Sequence, residues 1–71
     1  MKTIVKLRDG NTREFVSNTA NEWHLGEVEG NGCLTVYRVW VDGVYLGKIP
    51  EASFAEGTWL EWGSVHSPVP K

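Results

Sequence analysis

The chain predicts an all-β domain, a small antiparallel sheet of five or six short strands. Three observations carry that expectation. Turn-forming residues recur at short intervals, at Asp9-Gly10-Asn11, Gly30-Asn31-Gly32, Asp42-Gly43, Pro50 and Gly57. The runs between them are rich in Val, Thr, Tyr and Trp, whose branched or flat side chains suit a pleated surface. No segment keeps its apolar residues in helical period for three turns.

The first hairpin joins "TIVKLR" to "TREFVS" around residues 9–11. A three-residue loop there sets Lys6 across from Glu14, Val5 across from Phe15 and Ile4 across from Val16. A slip of one would oppose Arg8 to Arg13, a like-charge pair. Asn18 to Asn21 form a polar link into "EWHLGEVE", where the alternation changes phase. Trp23 and Leu25 share one parity and Val28 has the other. Either Gly26 marks a bulge that returns Val28 to their side, or Val28 faces away.

"YRVWVDGVYLGKIP", residues 37–50, is the most legible stretch. Asp42-Gly43 between two valines predicts a two-residue type I′ hairpin, which needs positive φ at both central positions. That register opposes Val41 to Val44, Trp40 to Tyr45, Val39 to Leu46, Arg38 to Gly47 and Val36 to Ile49. One face then carries Val39, Val41, Val44 and Leu46. The other carries Leu34, Val36, Arg38, Trp40, Tyr45 and Ile49. The aliphatic face is the better core candidate, because burying Arg38 without a partner would be costly. A curled sheet can also use one face at its root and the other further out, or give one face to a partner.

After Pro50, "EASFAE" has room for at most one helical turn near residues 50–56. "GTWLEWGSV" reads as the last strand, with Trp59 and Glu61 on one face and Leu60 and Trp62 on the other. An SH3-like or OB-like barrel, or a strongly bent sheet, would satisfy the edges of so many short strands. Residues 1–65 make a single β domain. "HSPVPK", residues 66–71, has two prolines and no apolar pattern and is expected to be an extended, flexible C-terminal tail.

A chain of 71 residues is near the lower limit at which a hydrophobic core sustains folding alone. Cys33 is its only cysteine, which excludes an internal disulfide. Large side chains are the remaining resource: Trp23, Trp40, Trp59, Trp62, Tyr37, Tyr45, Phe15 and Phe54, each able to bury roughly 150–250 Å². The opening "MKTIVKLRDG" is too charged for an export signal, and no run approaches the roughly 20 apolar residues of a membrane span. A cytoplasmic protein is expected.

The formal net charge of −2 argues against nonspecific nucleic-acid binding. The charge is sorted along the chain. Residues 1–16 carry Lys2, Lys6, Arg8 and Arg13 against Asp9 and Glu14. The rest carries Arg38, Lys48 and Lys71 against Glu22, Glu27, Glu29, Asp42, Glu51, Glu56 and Glu61.

Enzyme motifs are missing: no phosphate loop, no nucleophile elbow, no zinc-ligand spacing. His24, Cys33 and His66 are the residues from which a cysteine–histidine site could be built. Cys33 adjoins a turn glycine, His66 sits in the tail, and a structural zinc wants four ligands. They are read as a small strand cysteine and two solvent histidines, with no catalysis, metal or cofactor. A non-enzymatic protein-binding module is the expectation that remains. Arg38, Trp40 and Tyr45 are of the types enriched at interface hot spots. Glu27 and Glu29 belong to the acidic body, which would steer the molecule toward a basic partner such as a nucleic-acid-handling complex.

Compact, acidic, motif-free chains of this size are typical of small phage-encoded inhibitors of host machinery, CRISPR effectors among them. By that analogy the protein would act in a host cytoplasm. Two other readings stand beside it. One is a single-strand nucleic-acid binder stacking bases on Trp40 and Tyr45 beside Arg38. The other is a self-assembling structural component, a homodimer for example.

Overall fold

The structure, a computed structural model, describes residues 2–65. The tail expected at 66–71, His66 included, lies outside the described residues. Six strands follow in order: β1 (Lys2–Leu7), β2 (Thr12–Val16), β3 (Glu22–Val28), β4 (Leu34–Asp42), β5 (Tyr45–Phe54) and β6 (Trp59–Val65). They form two three-stranded antiparallel sheets, β2-β1-β6 and β3-β4-β5, which do not close into a barrel. Among the described residues there is no helix long and apolar enough to cross a membrane. The segment after Pro50, expected to hold at most one helical turn, continues β5 as strand to Phe54.

The two sheets share one core. Val5 and Phe15 come to it from the first sheet, and Leu34, Val36 and Phe54 from the second. Leu7, Ala52, Trp59 and Trp62 pack against that cluster. The Phe15 and Phe54 rings meet edge to face across the interface, centroids 6.4 Å apart, an arrangement aromatic quadrupoles favour. Gly26 lets the sheets approach: a Cβ built there would lie 2.7 Å from two ring atoms of Trp62. So Gly26 marks a contact, and β3 pairs with β4 without a bulge, from Glu22 opposite Trp40 to Val28 opposite Leu34.

Both hairpins are displaced from the expected register by two residues. In the first, Val5 opposes Arg13, Ile4 opposes Glu14 and Thr3 opposes Phe15. Leu7 and Asn11 close the loop through a 2.9 Å bond from the Leu7 N–H, and Asp9 Oδ1 accepts from the Asn11 N–H. In the second, Asp42 opposes Tyr45, Val41 opposes Leu46 and Trp40 opposes Gly47. Gly43 has φ of +62°, and among the described residues no non-glycine residue has positive φ. A turn with positive φ at its first central residue alone meets the type II′ requirement, not type I′, and the loop is Gly43-Val44. A shift of two preserves the pleat, so residues expected to share a face still do.

The core face of the second sheet is the one carrying Arg38. Leu34 and Val36 are fully buried on that side. Of the aliphatic set assigned to the core, only Val39 is buried, and it lies on the outer face between Trp23 and Lys48. Val41, Val44 and Leu46 are exposed. In β3 it is His24 and Gly26 that face inward, and Trp23 and Leu25 face outward.

Two irregularities set the rest. An extra residue at Leu60 shifts the β1–β6 register between Lys6 and Leu7. Trp59 therefore opposes Leu7 and Trp62 opposes Val5, both on the core face, where strict alternation had separated them. In β5 the register shifts between Val36 and Tyr37, leaving Glu51 as the extra residue beside Pro50. Proline is tolerated there because β5 is an edge strand.

Candidate functional site

The β4–β5 hairpin extends past the last rung that β3 supplies, where Asn21 accepts from the Val41 N–H at 2.9 Å. Beyond that point neither face is covered. Val44 is 95% exposed, Tyr45 76% and Leu46 68%, with Ile49 and Val41 exposed behind them. No charged side chain lies between Asp42 and Lys48. One face of the hairpin carries Arg38, Trp40, Tyr45 and Ile49. The other carries Val41 and Leu46 and runs back over Val39, Tyr37, Trp23 and Leu25.

Of the residues proposed from sequence, three come together. Arg38, Trp40 and Tyr45 share a face, although Trp40 and Tyr45 are diagonal neighbours and Gly47 is the residue opposite Trp40. The indole lies over Gly47, where a Cβ would collide with it, and the Arg38 guanidinium sits 5.6 Å from the ring centroid. Arg38 Nε is buried without a hydrogen-bond partner. Glu27 and Glu29 are elsewhere. Glu27 is on the outer face and pairs with Lys48 at 2.7 Å, holding that ammonium above the Tyr37 ring at 4.2 Å. Hydrogen bonding to Glu27 raises the Lys48 pKa above 10.5. Glu29 lies in the β3–β4 turn, its backbone N–H bonded to Cys33 O at 2.8 Å.

His24 corrects the reading of a solvent histidine. It is buried, and both ring nitrogens are engaged. Nδ1 is 3.1 Å from Ser17 Oγ, and Nε2 bonds Glu51, the residue the β5 bulge turns toward it. Thr3 Oγ1 donates to the His24 carbonyl at 3.3 Å, tying β1 to β3. With Glu51 ionised, Nε2–H donates to it, and Nδ1 either accepts from Ser17 or, in the imidazolium, donates to it.

These are the residue types of a hydrolytic triad, but Ser17 and His24 are buried and only Glu51 reaches solvent. Ser17, His24 and Glu51 line neither the cleft between Ile4 and Trp62 nor the one between Leu7 and Phe54. Acyl transfer needs a substrate site between the nucleophile and preorganised oxyanion donors. Alternation could have flagged His24, since it shares parity with Gly26 and Val28, but only the fold shows which parity is buried.

Cys33, read as a strand residue, follows the β3–β4 turn half-buried, its N–H bonded to Asn31 Oδ1 at 3.1 Å. Among the described residues no group of three His, Cys, Asp or Glu side chains is arranged to hold a metal ion. No protein-family model matches this chain, and neither a curated protein nor a solved structure matches it.

Proposed function

We propose that this chain is a non-enzymatic protein-binding module that docks through the β4–β5 hairpin tip. The observation that carries the reading is the uncharged run Gly43 to Gly47, which places Val44, Tyr45 and Leu46 in solvent at the end of the β4–β5 ladder. Apolar side chains exposed in a contiguous group, rimmed by polar residues, are the surface that association removes from water. Tyrosine contributes a large contact area at low entropic cost, which suits Tyr45 as the anchor. Asp42 beside the turn and the acidic body favour a partner with basic groups around an apolar pocket. A basic nucleic-acid-handling complex has that character, and inhibition of such host machinery by contact is the role we assign. Trp40 is poorly placed as a base-stacking platform, because Gly47 and Arg38 already occupy its ring.

The test is affinity capture from a host lysate with wild-type protein and the variants Tyr45→Ser and Leu46→Ser, followed by mass spectrometry. A partner retained by wild type and by Glu14→Gln but lost by both tip variants supports the assignment. A partner held equally by the tip variants removes the tip as the docking surface. Loss of a dimer in sedimentation on the same substitutions would instead make the tip a self-association surface.

A further inference from the structure

We propose that the cleft between the β1–β2 and β5–β6 turns binds a small organic phosphate, with Arg8 and Arg13 receiving the phosphoryl group. The cleft has a volume of about 470 Å³ and is lined by Leu7, Arg8, Asp9, Arg13, Phe54 and Thr58, with Ser53 at its edge. That volume is in the range of roughly 300–1,000 Å³ typical of small-molecule sites.

The ion pairs and the cleft lining together point to these two cations, since Arg38, also without a salt bridge, lies over the Trp40 ring instead. Every lysine among the described residues is paired with a glutamate: Lys2 with Glu14 at 2.7 Å, Lys6 with Glu61 at 2.8 Å and Lys48 with Glu27 at 2.7 Å. Arg8 and Arg13 have no carboxylate within salt-bridge distance among the described residues, and both face one cleft. The basic end of the sequence thus reduces in three dimensions to two guanidinium groups. Asp9 is the one anion lining the cleft, and its Oδ1 is engaged by the Asn11 N–H.

The site is also held in shape. The Arg13 guanidinium carbon is 5.8 Å from the centroids of both Phe15 and Phe54, so the side chain rests on two ring faces. A stacked guanidinium keeps its N–H edge free, and its immobilisation on binding is already partly met. Arg8 is fixed through its backbone, whose N–H donates to Thr58 O at 3.1 Å and locks the two turns together. Two forks lining one cleft, Arg8 from the β1–β2 turn and Arg13 from β2, suit a tetrahedral dianion, which offers an oxygen pair to each. A single carboxylate satisfies only one fork. Phe54 lies at the opposite end of β5 from Tyr45, about 30 Å along a ten-residue strand. The site is therefore independent of the docking surface proposed above.

The experiment is isothermal titration of the folded chain with inorganic phosphate, a nucleoside 5′-monophosphate, the parent nucleoside and a single-stranded oligothymidylate. The monophosphate and phosphate should bind and the nucleoside should not. Arg8→Gln and Arg13→Gln should each weaken monophosphate binding at least tenfold. Arg13→Lys should also weaken it, because charge alone does not restore the fork. Lys6→Gln, a cation on the far face of the same sheet, should leave binding unchanged. Both arginines are exposed, so melting curves of the variants should match wild type; were Arg13→Gln to unfold the chain, Arg8→Gln decides. Equal binding of nucleoside and monophosphate, unchanged affinity in the arginine variants, or an equal loss with Lys6→Gln would overturn the assignment. So would binding of the oligonucleotide alone, which would make the surface a strand-binding one.

Discussion

Replacing Gly26 with alanine adds one methyl group at the closest approach of the two sheets. The new Cβ would lie 2.7 Å from two fused-ring atoms of Trp62 and 3.1 Å from a third. Carbon atoms in contact prefer about 3.5–4.0 Å, so about 1 Å must be found. The indole is rigid and packed against the core, so the sheets must separate or the ring must rotate. Overpacking of this kind costs roughly 1–3 kcal/mol. Gly26 does not have positive φ, so alanine carries no backbone strain there. It should return about 0.4–1 kcal/mol by restricting the unfolded chain. A net loss of about 1–2 kcal/mol is expected, a fall in Tm of about 5–15 °C for a domain this small. The assay is urea unfolding of Gly26→Ala, Trp62→Leu and the double variant. In the Trp62→Leu background the cost of Gly26→Ala should largely disappear, since the colliding ring has gone. A neutral or stabilising Gly26→Ala would refute the close approach. So would a cost that persists undiminished without the indole.

The faces of the β4–β5 hairpin give a second comparison. Leu34→Ala should cost about 2–5 kcal/mol as a cavity in the shared core, while Leu46→Ala should stay within about 0.5 kcal/mol, both read from melting curves. Gly43→Val should destabilise by about 1–2 kcal/mol through its φ of +62° alone, because nothing lies within 4 Å of a Cβ there. The Lys6–Glu61 pair should show a pH signature. Hydrogen bonding to Lys6, then its charge, lowers the Glu61 pKa from 4.5, so the pair's contribution is present above that value and is lost as pH falls through the lowered one. Urea midpoints of wild type and Glu61→Gln should therefore differ slightly at pH 7, converge in acid and converge in high salt.

Much of the architecture was legible because turns and strand formers are local signals. Five of the six strands lie between the turn signals visible in the chain, β5 instead running on through Pro50, and the parity of each hairpin was right even where the register was not. A two-residue slip is invisible to alternation, and Asp42-Gly43 and Gly43-Val44 are both acceptable loops until the ladder decides between them. Which parity is buried was not legible, since it depends on the other sheet. Arg38 marked its face as costly to bury. Leu34 and Val36 on that face are fully buried, whereas Arg38 is only half-buried and stacks on the Trp40 ring, with its Nε buried and unpaired. Gly26 and Leu60 illustrate the same limit: of the two readings open for β3 the one without a bulge holds, and a bulge occurs at Leu60 instead, because a bulge answers to its partner strand. His24 with Ser17 and Glu51 was hidden for that reason too, as its partners come from the β2–β3 link and a bulge in β5.

The pairing of β1 with β6 brings the first and last described strands side by side, Lys2 opposite Val65. All other ladders are made between consecutive strands. Folding therefore has one step of high contact order. About fifty residues separate Leu7 from its partner Trp59, against five between Lys6 and Thr12. Closing the longer loop costs about 2 kcal/mol more in chain entropy. The three-strand meander β3-β4-β5 can assemble locally, while β6 must wait for β1, and this joining should set the folding rate. Since these strands are adjacent, a short linker joining residue 65 to residue 2 would abolish that wait. A circular permutant opened in the β2–β3 link, which no ladder spans, should fold faster than the natural order, because every ladder would then join consecutive strands.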